Sequence, residues 1–549
     1  MRDLYRPRWP LLLTLIGGIG AIIALTYLTS KPSGEELPVH GGSYIEGVAG
    51  TPSRINPLFT TNEAEQDLSS LVFSGLVRLG PRGDVQPDLV QEEPTVSPDG
   101  KEYTFRLRTD VSWHDGERLD AGDVVFTIRA IRDPDFQGDP RLAEVFQDVE
   151  LEALDDYTVV MSLPKPFAPF LAFATVGILP EHLLGDLDAA GLIDSPFNDR
   201  PIGSGPFRLT ELTRAGALLR SFDAYHMGPP LLETLELRFY RDDATLLTAL
   251  RGGDVDGALF RSGLTPEKLT LLDDEDRWVR RSLHGTAYYL VYLNPDTPPF
   301  SDADVRRALQ HGLDREALIA EALDGQASPL DSPIVSDLWA HVSDPDAYAF
   351  DADRARALLD DAGWVPSEGG RAKEDAPLKF TLASSDAPTQ SEVAQEIARQ
   401  WAQLGVQAEV QVMGASQFVE DVFQRQEFDA ALVRIDPGPD PDLYPFWHST
   451  QAFGEGRNLV AFSHADADQL LEDGRQTPSV AQRAEDYLAF QEIFAQELPA
   501  VLLYTPAYQY VYRADLQAVS PGLLFTLSAR FFDVHRWFVE TEPASDDDA

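Results

Sequence analysis

Apolar residues recur along this chain with two different periods. In SPDGKEYTFRLRTDVSW a tight turn leads into Tyr103, Phe105 and Leu107, each separated by a polar residue. Period two puts those three on one face of a half-buried strand. ALLRSFDAYH and LETLELRFY read the same way. Toward the C-terminal half the helical period takes over. In SDADVRRALQHGLDREALI, Ser301 and Asp304 stand at capping-box spacing, and Val305, Ala308, Leu309 and Leu313 share one face. FDADRARALLDDAGW starts at an Asp351 cap and stops at Gly363. TQSEVAQEIARQWAQLGVQAEVQVM is a helix running into a strand, with Val393, Ile397 and Leu404 inward. FDAALVRI reads as a strand. SVAQRAEDYLAFQEIFAQELP is a capped helix stopped by Pro499, and AVLLYTPAYQYVY returns as a tyrosine-rich strand. Strands, turns and amphipathic helices thus alternate, with no internal repeat.

One stretch breaks both patterns. LLLTLIGGIGAIIALTYL, Leu11 to Leu28, carries no charge. Eighteen residues at helical rise span roughly 27 Å, close to the hydrocarbon thickness of a bilayer. Arg2, Arg6 and Arg8 precede it, which predicts an N-in anchor with the rest of the chain outside. A cleaved signal peptide is the rival reading. The following LTYLTSKPSG lacks a small-x-small cleavage site and favours the anchor, with a flexible tether after it.

Composition narrows the class. The 549 residues are 43% hydrophobic and 10% aromatic, enough for more than one packed core. Lys and Arg number 44 against 90 Asp and Glu, a formal net charge of −46 spread along the chain. Phosphates would be repelled, so nucleic acid is excluded as a partner. The excess reads first as a heavily hydrated surface. With no cysteine, disulfides, thiolate catalysis and a lipid anchor on cysteine are excluded. The ten histidines show no HxH or HExxH spacing, and no Walker, Rossmann or G-x-S-x-G signature occurs. Neither a metal nor a cofactor is expected. GGDVDG, Gly252 to Gly257, lacks the remaining ligands of a calcium loop and reads as a turn. The sequence makes no positive case for catalysis.

RIDPGPDPDLYPFWH, Arg434 to His448, sets Asp436, Asp440 and Asp442 among four prolines and leads into Tyr444, Phe446 and Trp447. Proline fixes φ and removes a donor, so this is a rigid loop holding charge in place. It leaves the carboxyl end of the FDAALVRI strand, where ligands usually sit in α/β sheets. It is either a ligand-gripping loop or a solubilised turn.

Several segments, taken together in order, resemble the extracytoplasmic solute-binding proteins of peptide-type ABC importers, family 5. They include INPLFTTNEAEQDLSSLVFSGLV, PDLVQEEPTVSPDGKEYTFRLRTDVSWHDGERLDAGDVVFT, PIGSGPFRL, LNPDTPPFSDADVRRALQHGLDREALI and QWAQLGVQAEVQ. The resemblance implies an α/β fold of two lobes, the type II periplasmic-binding-protein fold, with an α+β domain inserted in the first lobe. Residues 1–10 would form a basic cytoplasmic tail, 11–28 the anchor and 29–40 a linker. The first lobe would comprise 41–82, 198–283 and 507–538, the inserted domain 83–197 and the second lobe 284–506. Residues 539–549 would be a disordered acidic tail. WHDG, Trp113 to Gly116, would be a strand-end turn, and GSG, Gly203 to Gly205, a bend between domains.

The resemblance further implies a peptide held between closing lobes and delivered to permease subunits. Asp436, with Asp440 next, would meet its amino group. Tyr288 and Tyr289 fall near the backbone-pairing segment, and Trp447 could stack on a ligand. An oligosaccharide or other solute, an anchored hydrolase and a chaperone or sensor are the alternatives.

Overall fold

The computed structural model describes residues 36–543 apart from 262–263, 344 and 453–455. The expected anchor, Leu11–Leu28, lies outside the described residues. No helix among the described residues is long and apolar enough to cross a membrane.

Two lobes share one mixed sheet through a single long strand. Ala500–Arg513 runs the length of both. Its first part pairs antiparallel with Tyr288–Leu293, from Tyr289↔Tyr504 to Tyr292↔Ala500. Its second part pairs antiparallel with Trp278–His284 and with Gly257–Phe260. The ladder changes partners at Gly285–Ala287 and at Thr505–Pro506, where the two crossing strands pass between lobes. Pro506 is tolerated inside a strand here because its missing donor falls at that changeover.

In the first lobe Ser43–Ala49 lies parallel to Thr234–Tyr240 and to Gly257–Phe260, and Gly216–Ser221 and Phe207–Leu212 follow antiparallel. In the second lobe Lys379–Ser385 lies parallel to Gln407–Met413 and to Ala430–Ile435, which pairs antiparallel with Tyr288–Leu293. A separate four-stranded antiparallel sheet is built from Thr95–Val96, Glu102–Arg106, Thr158–Ser162 and Glu150–Asp155. Tyr103 and Phe105 are buried in it, as the alternation predicts. This unit shares one continuous apolar core with the first lobe. The second-lobe sheet instead buries two separate clusters.

Local signals set most elements. Asp351 caps Ala352–Asp361, and Gly363 follows at φ +87. Ser479 caps Val480–Glu497, which ends at Leu498 before Pro499. The stretch expected as one helix from Ser301 is two, Ala303–His311 and Arg315–Ala322, capped by Asp302 and Asp314. Gly312 ends the first against the side chain of Leu404, and Asp314 offers a fresh cap that the backbone takes.

WHDG and GSG are one unit. The Gly203 N–H donates to His114 Nδ1 (3.2 Å) and His114 Nε2 donates to the Gly205 carbonyl (3.0 Å). Burial pushes the His114 pKa down to about 4, which keeps the ring neutral for these roles. A Cβ on Gly203 would run into the Val72 carbonyl, so the chain passes there only as glycine.

The terminal segments differ from expectation. Thr541–Pro543, within the expected disordered tail, pairs antiparallel with Glu36–Pro38 of the expected linker. Backbone pairing gives these polar segments order that their composition does not signal. Residues 544–549 lie outside the described residues.

Candidate functional site: an acidic loop at the lobe crossing

The carboxyl end of Ala430–Ile435 delivers Arg434 and Asp436 to the crossing segments. Asp436 Oδ1 accepts from the Thr286 hydroxyl (2.7 Å) and from the Gly438 N–H (3.2 Å). Its Oδ2 stands 3.5 Å from Arg434 Nη2, and both side chains are 45% exposed. Thr286 lies in the crossing segment, so the carboxylate is tied to the join between the lobes. Arg434 is in register with Tyr289, and Tyr289 with Tyr504. The two tyrosine rings stack at 4.9 Å and 22°. Gln390 Nε2 donates to the Tyr289 hydroxyl (3.4 Å).

Tyr508, on the second half of the long strand, completes this wall. Burial raises its pKa, while Arg434 lowers it by charge and by donating to the hydroxyl. Arg141, near the start of the helix Pro140–Phe146, has its pKa raised first by Asp139, which holds its guanidinium (2.8 Å), and then by the charge of Asp436.

The other acids of the loop do different work. Asp440 makes a two-pronged pair with Arg483 (3.0 and 2.5 Å), with side chains 15% and 5% exposed. Asp442 is buried and meets Arg475 at 3.0 Å; burial raises its pKa and Arg475 opposes the rise. Arg475 lies over both Tyr444 (4.4 Å) and Phe167 (5.2 Å), and its carbonyl accepts from the Ala168 N–H (2.8 Å). The loop therefore neutralises two arginines where the second lobe meets the four-stranded unit. Its prolines hold three carboxylates to three separate tasks.

Asp440→Asn is expected to lower stability by about 1–3 kcal/mol, because Arg483 is left buried with half a partner. Ligand affinity is expected to stay within about twofold. Chemical denaturation beside calorimetry checks this, and lost affinity at unchanged stability would return Asp440 to the binding site.

Two further expected ligand residues are fully buried, though Tyr288 borders a small pocket with Thr286, Pro437 and Gly438. Tyr288 is fully buried and faces the opposite side of the strand from Tyr289, in the second-lobe core. Trp447 is fully buried against Tyr292, Phe462 and Phe494. Both side chains are thus packed inside the second lobe. Thr286, Arg434 and Tyr508 went unread from sequence. The one available signal was Arg434 itself, a charge in an otherwise apolar strand.

A second cavity, about 630 Å³, opens at the carboxyl ends of the parallel strands of the first lobe. Ala49, Gly50, Arg241, Arg261 and Leu264 line it. Arg241 pairs with Asp242 (2.8 Å) and Arg261 with Glu63 (3.4 Å). Among the described residues no cluster of His, Cys, Asp and Glu could hold a metal.

This geometry, two α/β lobes on crossing strands with charge at the crossing, has relatives. Residues 84–454, more than half of the chain, match the bacterial extracellular solute-binding proteins, family 5, over the family's middle region. The chain belongs to this family.

As a family 5 solute-binding protein it binds solute outside the cytoplasm and is not an enzyme. Protein XP55 of Streptomyces lividans is 31% identical over 482 residues, covering 86% of this chain and 84% of that one. The oligopeptide-binding protein AppA of Bacillus subtilis is 26% identical over 513 residues, covering 91% and 92%. The structure of that AppA with a nonapeptide covers 92% of this chain and all of its own, at 25% identity and TM-score 0.65. The unliganded open form of the murein tripeptide binding protein MppA, at 18% identity, scores 0.77 over 92% and 99%. That likeness shows the fold.

Proposed function

We propose that this family 5 protein is the membrane-anchored receptor of an ABC importer, closing its lobes on a peptide and passing it to permease subunits. The observation that carries the reading is Asp436, a half-exposed carboxylate at a strand's carboxyl end, hydrogen-bonded to Thr286 of the lobe crossing. A charge for the ligand's amino group there works for any side chain, as a receptor of varied peptides requires. Closure is favoured only by ligand that touches both lobes, so binding and shape change form one equilibrium. Arg141 of the inserted domain and Tyr508 of the long strand both lie within reach of the Asp436 charge. Leu11–Leu28 supplies the anchor in this reading. The lobes divide at 283/284 and 506/507, with 83–197 as the inserted domain.

Mass spectrometry of solute released from the purified protein by denaturation tests the reading. The expected solute carries a primary or secondary amine. Recovery of solutes without any amine would overturn the role of Asp436.

A further inference from the structure

In the first lobe two helices leave neighbouring parallel strands for opposite faces of the sheet. Ser43–Ala49 leads to Glu63–Val72, whose Leu68 and Leu71 share one core with Tyr44 and Val48. Thr234–Tyr240 leads to Asp243–Gly252, whose Leu246 and Leu250 share another with Ala49 on the far face. Such a divergence opens a crevice at the carboxyl ends of the strands, where α/β sheets take their ligands. The cavity of about 630 Å³ lies there, within the size range of small-molecule sites. It also borders the lobe crossing. Phe260 pairs with Gln509, so Arg261 leaves the sheet at the level of Tyr508, which feels the charge of Asp436.

Two arginines of this cavity are held differently. Arg241 Nε donates to Asp242 at 2.8 Å. Arg261 Nε stands 3.4 Å from Glu63 Oε2, and that oxygen, on a side chain 4% exposed, accepts no hydrogen bond among the described residues. The Arg261 side chain is itself 51% exposed. Charge alone draws it to Glu63, so its hold depends on the ionisation of that carboxyl. Asp67 acts on Glu63 from the same helix, Asp243 from the helix at the cavity, Arg530 from the C-terminal segment, and Arg261 from the strand end. Burial, then Asp67, push the Glu63 carboxyl up to about 7, with Arg530 and Arg261 opposing. Below that pH Glu63 is neutral and no longer draws the guanidinium inward. Above it the anion keeps Arg261 and repels a second carboxylate.

An extended ligand turns successive side chains to opposite sides. With its amino group on Asp436 in the second lobe, alternate side chains face the first. Resting on the reading of Asp436 given above, we propose that the first-lobe cavity selects an acidic side chain of the bound peptide. Arg261 is the specificity residue that takes its carboxylate, and Glu63 is the protonatable group that releases Arg261 to it. A Glu or Asp side chain in water stays ionised at pH 6, where Glu63 is mostly protonated. Binding of an acidic guest and proton uptake by Glu63 therefore favour each other.

The test uses the full-length protein stripped of solute, with short free-acid peptides in pairs that differ only by Glu or Gln at one position, each position in turn. Both members of a pair carry the same ends, so their affinity ratio reads the side chain alone. Calorimetry at pH 6 and pH 8 gives that ratio. At one position Glu is expected to bind at least about 5-fold more tightly than Gln at pH 6, the worth of one charge-assisted contact. At pH 8 the ratio is expected to fall below about 2-fold, since only about a tenth of Glu63 is then protonated. Arg261→Gln is expected to abolish the preference while the melting temperature stays within about 2 °C. Glu63→Gln is expected to keep the preference and remove its pH dependence. Equal binding of Glu and Gln at every position at pH 6 would overturn the inference and leave the role of Asp436 standing, as would a preference that survives Arg261→Gln. A preference that Arg261→Gln removes but that is the same at both pH values would overturn the part given to Glu63. Failure of every peptide to bind would remove the reading of Asp436 and this inference with it.

Discussion

Arg530→Leu is expected to destabilise the protein by about 3–5 kcal/mol, the range seen when one partner of a buried ionic cluster is removed. Arg530 is fully buried in the first lobe. Its Nη1 and Nη2 meet the two oxygens of Asp67 at 2.9 and 2.6 Å, and its Nε meets Glu46 at 2.8 Å. Glu46 also accepts from the Tyr44 hydroxyl (2.8 Å). A third acid, Glu63, stands 4.0 Å away. Three carboxylates thus surround one buried cation, with the half-exposed Arg261 3.4 Å from Glu63.

That imbalance makes the effect pH-dependent. Burial, and then Asp67, push the Glu63 carboxyl up to about 7. A carboxyl whose folded pKa lies above its unfolded value of about 4.3 binds more protons when folded. Its contribution is therefore fully present below about pH 4.3 and is lost as pH rises through about 7. Without Arg530 the other two carboxyls, already raised by burial, climb as well. The variant's deficit should be larger at pH 8 than at pH 5. Denaturant unfolding at both values checks this, and a deficit independent of pH would contradict it.

Asp436→Asn is expected to weaken binding of amine-bearing solute by about 2–4 kcal/mol, roughly 30- to 1,000-fold. The substitution keeps the acceptor for Thr286 and Gly438, so the loop should hold its shape. The charge for an enclosed ammonium is lost. Isothermal titration against the same solute, native and variant side by side, gives the ratio. An unchanged affinity would remove Asp436 from the site. The Asp440→Asn variant separates this loss from a general weakening of the loop.

The elements were legible where a local signal sufficed. Asp351, Ser479 and Gly363 mark helix ends by chemistry that acts within a few residues. The run from Ala500 to Arg513 was legible as a strand despite Pro506, because its apolar and tyrosine content outweighs one missing donor at a crossing. Asp436 was legible as a charge on a rigid loop at a strand end. The site's face was not. YYLVYL is apolar at nearly every position, so its alternation does not tell whether Tyr288 or Tyr289 meets the cleft. Packing on the second-lobe core decides that, and it turns Tyr288 inward. Asp440 and Asp436 look alike in sequence, and only Arg483, 43 residues later, separates them. Arg530 is the extreme case. Its partners Glu46 and Asp67 lie more than 460 residues earlier, and nothing local to SARFFDVHRW announces them.

The proposed function depends on the two lobes closing about the crossing at Gly285–Ala287 and Thr505–Pro506 when solute reaches Asp436. Small-angle X-ray scattering measures this directly, on protein first stripped of solute and then saturated with the solute recovered from it. The account predicts a smaller radius of gyration on saturation, abolished by Asp436→Asn, with the solute released chemically unchanged. Identical scattering curves with and without solute that calorimetry shows to be bound would contradict it.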